Sequence, residues 1–398
     1  MTDGLAAGRE RRALQSVATQ FFVNGAMFAS ISPRLPEIRT RLEITTGTLG
    51  VLLAIGSLAG VLGSLSVGWV MERFSSRAVL IGGALVLVAS LPVIGFATTP
   101  AMFLFGIMLF SSFDVLVDAA MNLQGSWLSA RRPVPVMNRL HGLWSLGTVI
   151  GGVIASQVAG VGVSLQLHLV VVAIVLLAVL VFVGRGLLVT DERKAAVPSP
   201  DVRSDAEAAV RRARRSLLIL MALIGGCSIM IELTASDWAA FRLTDDFGAA
   251  PGLAGLGFVG FTAGMTIGRF GGDTVQARIG TSRLFCLGVA LTATGLVFAT
   301  MIDSEPVVIV GFFLAGIGVA TQFPKLYDDA AKLPGRPGVG LGALTGGSRL
   351  ALLIAPVVVG SLAASSLSVG SAIALVTLPA LAGFVILDRM IERVRPRL

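Results

Sequence analysis

The sequence predicts an all-α integral membrane protein of twelve transmembrane helices, arranged as two pseudo-symmetric six-helix halves. Three observations lead there. Of 398 residues, 55% are hydrophobic and 14% charged, with 48 glycines, a balance foreign to soluble domains. Most of the chain falls into apolar stretches near the roughly 20 residues that a helix needs to cross a bilayer. Finally, a shift of about 205 residues pairs Gly47 with Gly252, Gly50 with Gly255, Gly63 with Gly268, Arg73 with Arg278, Gly83 with Gly288 and Gly106 with Gly311, without a gap.

The first half is expected to span the membrane at about 14–33, 46–70, 78–97, 101–128, 138–161 and 167–189. Arg9, Arg11 and Arg12 precede an apolar run that reaches Ser32, too long for a signal-peptide core, so this run is the first span. The second half follows at about 216–240, 252–272, 284–302, 306–330, 339–363 and 370–390. Domains are accordingly 1–190, a cytoplasmic linker 191–215 and 216–398. The linker is polar, holds Pro198 and Pro200, and ends in Arg211, Arg212, Arg214 and Arg215; residues 205–215 suit a short surface helix. Basic residues collect in cytoplasmic loops. With both termini inside, Arg73, Arg77, Arg131, Arg132, the linker, Arg278, Arg283, Lys332, Arg336, Arg393, Arg395 and Arg397 are cytoplasmic, against Arg34, Arg39, Arg41 and Arg242 outside. This asymmetry accounts for the net charge of +8, so nucleic acid is not an expected partner.

Span 4 carries the densest chemistry. Asp114, Asp118 and Asn122 recur every four residues and share one helix face. An aspartate at the centre of a spanning helix costs about 2.5–3.5 kcal/mol to insert, so such groups are usually interior and functional. Two carboxylates one turn apart resist double ionisation, which suits a proton site. His141 on span 5 titrates ordinarily near neutral and suits a proton relay or a packing role. Asn24 on span 1, Glu232 on span 7 and Gln322 on span 10 suit either solute contact or interhelical hydrogen bonding. Arg349, inside span 11, requires an acid, a cavity or an anionic solute; Asp114, Asp118 and Glu232 lie at compatible depths. Pro324 is expected to kink span 10, and Lys325 to reach the cytoplasmic surface. Gly147, Gly151 and Gly152 on span 5, with Gly342, Gly346 and Gly347 on span 11, let helices approach closely.

Chemistry of other kinds has little support. Cys227 and Cys286 lie in apolar stretches and read as small buried hydrophobes. His141 and His168 sit on different spans, which gives no metal cluster, and no Gly-rich loop ending in Lys-Ser/Thr offers a nucleotide site. No cofactor and no enzymatic activity are expected.

The loop after span 2 holds Gly68, Glu72, Arg73 and Arg77; its second copy holds Asp273, Arg278, Gly280 and Arg283. An acid at a helix end with several arginines can form a charge latch that pairs in one conformation and releases in another. The loop resembles the signature of the major facilitator superfamily, Gly-x3-Asp-Arg-x-Gly-Arg-Arg/Lys. Gly68, Arg73 and Arg77 match, Glu72 replaces the aspartate, and Ser75 and Ser76 depart. A narrower resemblance, to the YbjJ-like transporters and through them to the fucose-permease-type sugar–proton symporters, rests on several further segments. These are Asp118 to Gly125, His141 to Gly147, Asp237-Trp238, Gly264 to Arg269 and Gln322-Phe323-Pro324. The resemblance implies a major facilitator fold, a cavity lined by spans 1, 4, 7 and 10, and an acid on span 4. Drug–proton antiporters carry a Gly-Pro pair in span 5, which here has no proline.

The expected protein is a monomeric secondary transporter of a bacterial cytoplasmic membrane. It moves a small polar solute by proton-coupled symport and alternating access, with the solute held between the halves near the midplane; proton-coupled efflux is the rival. Its partners are the solute, protons and the lipid bilayer. The assigned topology is checked by proteolysis: a protease added to inverted vesicles, whose outer face is cytoplasmic, is expected to cut between Asp191 and Arg215, and one added to spheroplasts is not. Cleavage from outside would reverse the orientation.

Overall fold

The computed structural model describes residues 2–132, 136–188, 208–320, 322–331, 333 and 339–394. In order these form α1 (Thr2–Ala29), a 3-10 turn (Ser32–Arg34), α2 (Leu35–Arg41), α3 (Thr46–Arg73), α4 (Ser76–Gly95), α5 (Pro100–Ala130), α6 (Met137–Gly160) and α7 (Leu165–Gly186). The second series is α8 (Ala208–Asp237), α9 (Ala239–Phe247), α10 (Pro251–Ile279), α11 (Thr281–Met301), α12 (Glu305–Val319), α13 (Gln322–Ala331), α14 (Val339–Ala363) and α15 (Val369–Val394). Among the described residues, ten of them are long and apolar enough to cross a bilayer. The charged first turns of α1 and the break between α12 and α13 set the other two expected spans apart.

Helix starts follow from side-chain caps. Thr45, Ser75, Thr99 and Ser164 each accept a hydrogen bond from the backbone N–H three residues on, opening α3, α4, α5 and α7. Ser75 therefore begins the third span earlier than its apolar run suggests. The eighth span was expected to end at 272, but α10 continues to Ile279 and stops where Gly280 takes φ 82°, the left-handed region that glycine tolerates. The tenth span is not one helix. It breaks at Ala320, the residue whose carbonyl would need the N–H that Pro324 lacks. The two short helices α2 and α9 were not anticipated. Part of the expected linker, residues 208–215, is the first two turns of α8; residues 191–207, Lys332, Arg336, Arg395 and Arg397 lie outside the described residues.

Contacts divide the chain into two compact units, residues 1–196 with 249–259, and residues 197–248 with 260–398. Within the first, α1 packs on α6 and α7, and α5 on α3 and α4. Within the second, α8 packs on α14 and α15, and α11 on α12 and α15.

Glycines set both packings, and the sequence repeat is their record. A Cβ at Gly63 would fall 3.1 Å from the Ser112 carbonyl oxygen, and one at Gly268 2.8 Å from that of Ile317. Likewise Gly106 lies against Ile94 and Gly311 against Ala299. Both partners in each case are displaced by the same 205 residues. On the first and fifth spans of each half the displacement is 200: Gly25 faces the Trp144 carbonyl and Gly225 that of Leu344, while Gly147 faces the Phe22 carbonyl and Gly347 that of Ala222. Gly342 and Gly346 differ. Nothing lies within 4 Å of a Cβ at either, so close helix approach does not account for them.

Substitution separates the two kinds of glycine. Gly347→Val should destabilise by about 3 kcal/mol, the upper range for overpacking, whereas Gly342→Ala should leave the thermal midpoint of the detergent-solubilised protein unchanged or raised. Equal tolerance at both positions would contradict the packing described.

Candidate transport site

Asp114 is the fifteenth of the 31 residues of α5 and so lies at its middle. Its Oδ1 accepts a hydrogen bond from Asn24 Nδ2 on α1 at 2.9 Å. Asn24 Oδ1 in turn accepts from Trp144 Nε1 on α6 at 2.8 Å. The order of this chain is fixed by chemistry. An indole N–H can only donate, so the amide must turn its oxygen to Trp144 and its NH2 to Asp114. Asn24 is buried, and among the described residues Asp114 has no cationic partner. One turn before Asn24, Gln20 is buried with its Nε2 unpaired.

Asp118, on the same face of α5, lies about 6 Å further along the axis and has different surroundings. It is exposed, and Asn122 Nδ2 donates to its carboxylate at 3.0 Å and to its backbone oxygen at 2.9 Å. His141 is exposed in the first turns of α6, with its ring edge-on to Phe21 at a centroid distance of 5.2 Å. The two aspartates expected as one proton site therefore differ in kind. Asp114 is tied across three helices, whereas Asp118 has a local bond to its own helix.

In the second unit, Glu232 on α8 pairs with Arg269 on α10 at 3.8 Å. Gln322 does not point into open space: its Nε2 donates to Thr292 Oγ1 on α11 at 3.1 Å, and its buried Oε1 has no partner. Lys325 was expected at the surface. It is instead held by Asp329 at 3.1 Å and Asp388 at 2.5 Å, with its ammonium 4.7 Å from the Phe285 ring centre. Arg349 is half-buried within α14, and among the described residues no acid or hydrogen-bond acceptor pairs with it. At the centre of a spanning helix an arginine costs about 2.5–3.5 kcal/mol.

The latch residues are apart from these groups. Glu72 and Arg73 are exposed in the last turn of α3, Arg77 lies in the first turn of α4, and Arg278 is exposed at the end of α10. Among the described residues none of the four makes an ion pair. Gly68 is exposed with open space beside it. The side chain of Asp273 lies outside the described residues.

Two arginines counted as external loop charges proved to be buried. Arg34, 2% exposed, pairs with Glu37 at 2.6 Å and donates to the Val163 carbonyl at 2.8 Å. Arg242, 3% exposed, pairs with Asp246 at 2.6 Å and donates to the carbonyls of Ala299 and Ile302. Asp246 also accepts from the backbone N–H groups of Val369 and Gly370, fastening the start of α15. Their partners three and four residues along were a usable local signal. For Trp144 and Arg269, which sequence reading quoted without a role, no local signal existed, because their partners lie on other helices.

A helical chain of this length, with many membrane-crossing segments and ionisable groups held inside them, defines a multi-pass membrane transporter. The chain belongs to the Major Facilitator Superfamily, whose profile matches residues 17–356. It is thus a carrier of small-molecule solutes and not an enzyme. An uncharacterized MFS-type transporter of Yersinia pestis is 26% identical over 359 residues, covering 89% of this chain and 91% of the relative. Membrane protein MosC of Rhizobium meliloti is 28% identical over 323 residues, covering 80% and 76%. Among solved structures, the nucleoside transporter NupG superposes with a TM-score of 0.72 at 12% identity, covering 96% of this chain and 98% of that one. A bacterial homolog of the human lysosomal transporter Spinster, in an inward-facing unoccupied conformation, gives 0.67 at 13% identity over 97% of each chain. At these identities the structures establish the fold.

The Trp144–Asn24–Asp114 chain has a testable energetic signature. Leaving a buried polar group unpaired costs about 1–3 kcal/mol, more than removing both partners. Asn24→Leu should therefore lower the thermal midpoint in detergent more than the double change Asn24→Leu with Asp114→Leu. Additive losses would show that the bond is not formed.

Proposed function

We propose that this protein is a proton-coupled symporter of a small polar solute, working by alternating access as a monomer in a bacterial cytoplasmic membrane. The observation that carries the reading is Asp114: a carboxylate at mid-helix, held by a neutral amide of fixed orientation, with no cation beside it among the described residues. An acid kept inside a membrane without a counter-ion suits a proton carrier. Asp118 and His141, both exposed on the same unit, suit the exchange of that proton with water. Asn122, Glu232 and Arg349 are the proposed solute contacts beside Asn24, with Gln322 turned instead to Thr292. Glu72, Arg73, Arg77, Asp273 and Arg278, at helix ends, are the proposed latch.

The resemblance to YbjJ-like and fucose-permease-type symporters, and the span 5 homologue α6 without proline, favour symport. A proton-coupled efflux antiporter would use the same acids with the opposite sense of proton movement. A proteoliposome screen of sugars, organic acids and drugs under an imposed pH gradient, read by internal pH, separates the two. Acidification that follows solute inward supports symport, and opposed movement supports efflux. In the responding condition Asp114→Asn should lower pH-driven accumulation by about tenfold or more, equivalent to roughly 1.4 kcal/mol of driving interaction. Exchange of labelled for unlabelled solute needs no net proton movement and should persist. Full accumulation in Asp114→Asn would move the proton site elsewhere.

A further inference from the structure

The helix α14 has two faces of opposite character. Leu344, Gly347, Ser348 and Ala351 form the face that meets α8, where Gly347 lies against the Ala222 carbonyl. Gly342, Gly346 and Arg349 recur at the spacing i, i+4, i+7 and share the other face. There Gly342 and Gly346 are exposed, with nothing within 4 Å of a Cβ placed on either. Glycine is a poor helix former. Two of them in the first turns of α14, where no neighbour among the described residues requires them, leave a backbone-floored space beside a guanidinium.

Among the described residues that guanidinium has no counter-charge. Glu232 is engaged by Arg269, Asp388 and Asp329 by Lys325, and Asp114 by Asn24. None of them pairs with Arg349. An arginine on a spanning helix is rarely left against lipid tails without compensation, and a partner from outside the chain would supply it. The planar fork of an arginine matches the two oxygens of a carboxylate or phosphate.

We propose that Arg349 with the open Gly342–Gly346 face is an anion-binding subsite, and that the carried solute bears a carboxylate or phosphate seated on Arg349 with its body over Gly346. This inference rests on the transport reading and narrows its solute to a small organic or inorganic anion. It also assigns the two glycines a role: room for the solute, where Gly347 gives room for a helix.

The experiment is a thermal-unfolding titration of the full chain in nonionic detergent with lactate, succinate, inorganic phosphate and glucose 6-phosphate. Neutral glucose and inositol serve as controls, and phosphatidylglycerol in mixed micelles as a separate arm. At least one soluble anion should raise the midpoint by about 3 °C or more at saturation, with no response to the neutral compounds. Arg349→Gln should abolish the response. Arg349→Lys, which keeps the charge without the fork, should weaken the apparent affinity about tenfold. Gly346→Leu should also abolish it while the unliganded midpoint is unchanged or raised, since a Cβ there meets nothing within 4 Å and leucine is a better helix former than glycine. No stabilisation by any soluble anion, stabilisation by phosphatidylglycerol alone, or a response that survives Arg349→Gln would each overturn the proposal. Proton-coupled uptake of a neutral solute would overturn it too, while leaving the symport reading intact; loss of proton coupling with anion binding preserved would do the reverse.

Discussion

Inside a bilayer two helices gain nothing by hiding apolar surface from one another, because lipid tails are as apolar as leucine. What holds them is close van der Waals contact, and here that contact runs through glycines pressed on backbone carbonyls: Gly25 on Trp144, Gly147 on Phe22, Gly225 on Leu344, Gly347 on Ala222. Everything else in each unit is placed by these approaches. Trp144 reaches Asn24 because α1 and α6 meet without intervening side chains, and Asn24 reaches Asp114 because α1 also touches α5. The polar chain is a by-product of how near the backbones come.

The charges sort by whether the chain neutralises them. Arg34, Arg242 and Lys325 are each surrounded by carboxylates and carbonyls, and they fasten helix ends to one another. Removing one member of such a set strands the others, so these groups are structural. Glu232 with Arg269 is looser, at 3.8 Å. Asp114 and Arg349 stand outside the pattern: among the described residues one is an acid with only an amide for company, the other a base with none. A membrane protein tolerates such groups where a mobile partner completes them.

Much of this was visible in the chain before any coordinates. Ionisable residues in apolar runs are expensive, so Asp114, Glu232 and Arg349 announced themselves by composition alone, and the glycine register announced the duplication. Partnerships were not visible. Asn24 and Asp114 are 90 residues apart and Trp144 lies 120 from Asn24, and nothing local to any of them encodes the others. Lys325 was misread because an exposed end of a span and a buried one look alike when the acid that binds it, Asp388, comes from another helix. The break before Pro324 was foreseen as a kink; that it divides the span into two helices follows from the Ala320 carbonyl, which proline leaves without a donor and against which its ring clashes.

The duplication also allows each unit to serve as a control for the other. Applying the two displacements, the positions corresponding to Asn24, Trp144 and Asp114 are Ile224, Leu344 and Val319, and the position corresponding to Arg349 is Val149. The same crossings form in both units around the same glycines, with aliphatic side chains in one where the other has polar ones. Helix packing is therefore indifferent to the amide, the indole, the carboxylate and the guanidinium. Scaffold and chemistry have come apart within a single polypeptide: the repeat is kept in the glycines and in the Arg73–Arg278 pair, and abandoned in the polar groups inside the spans.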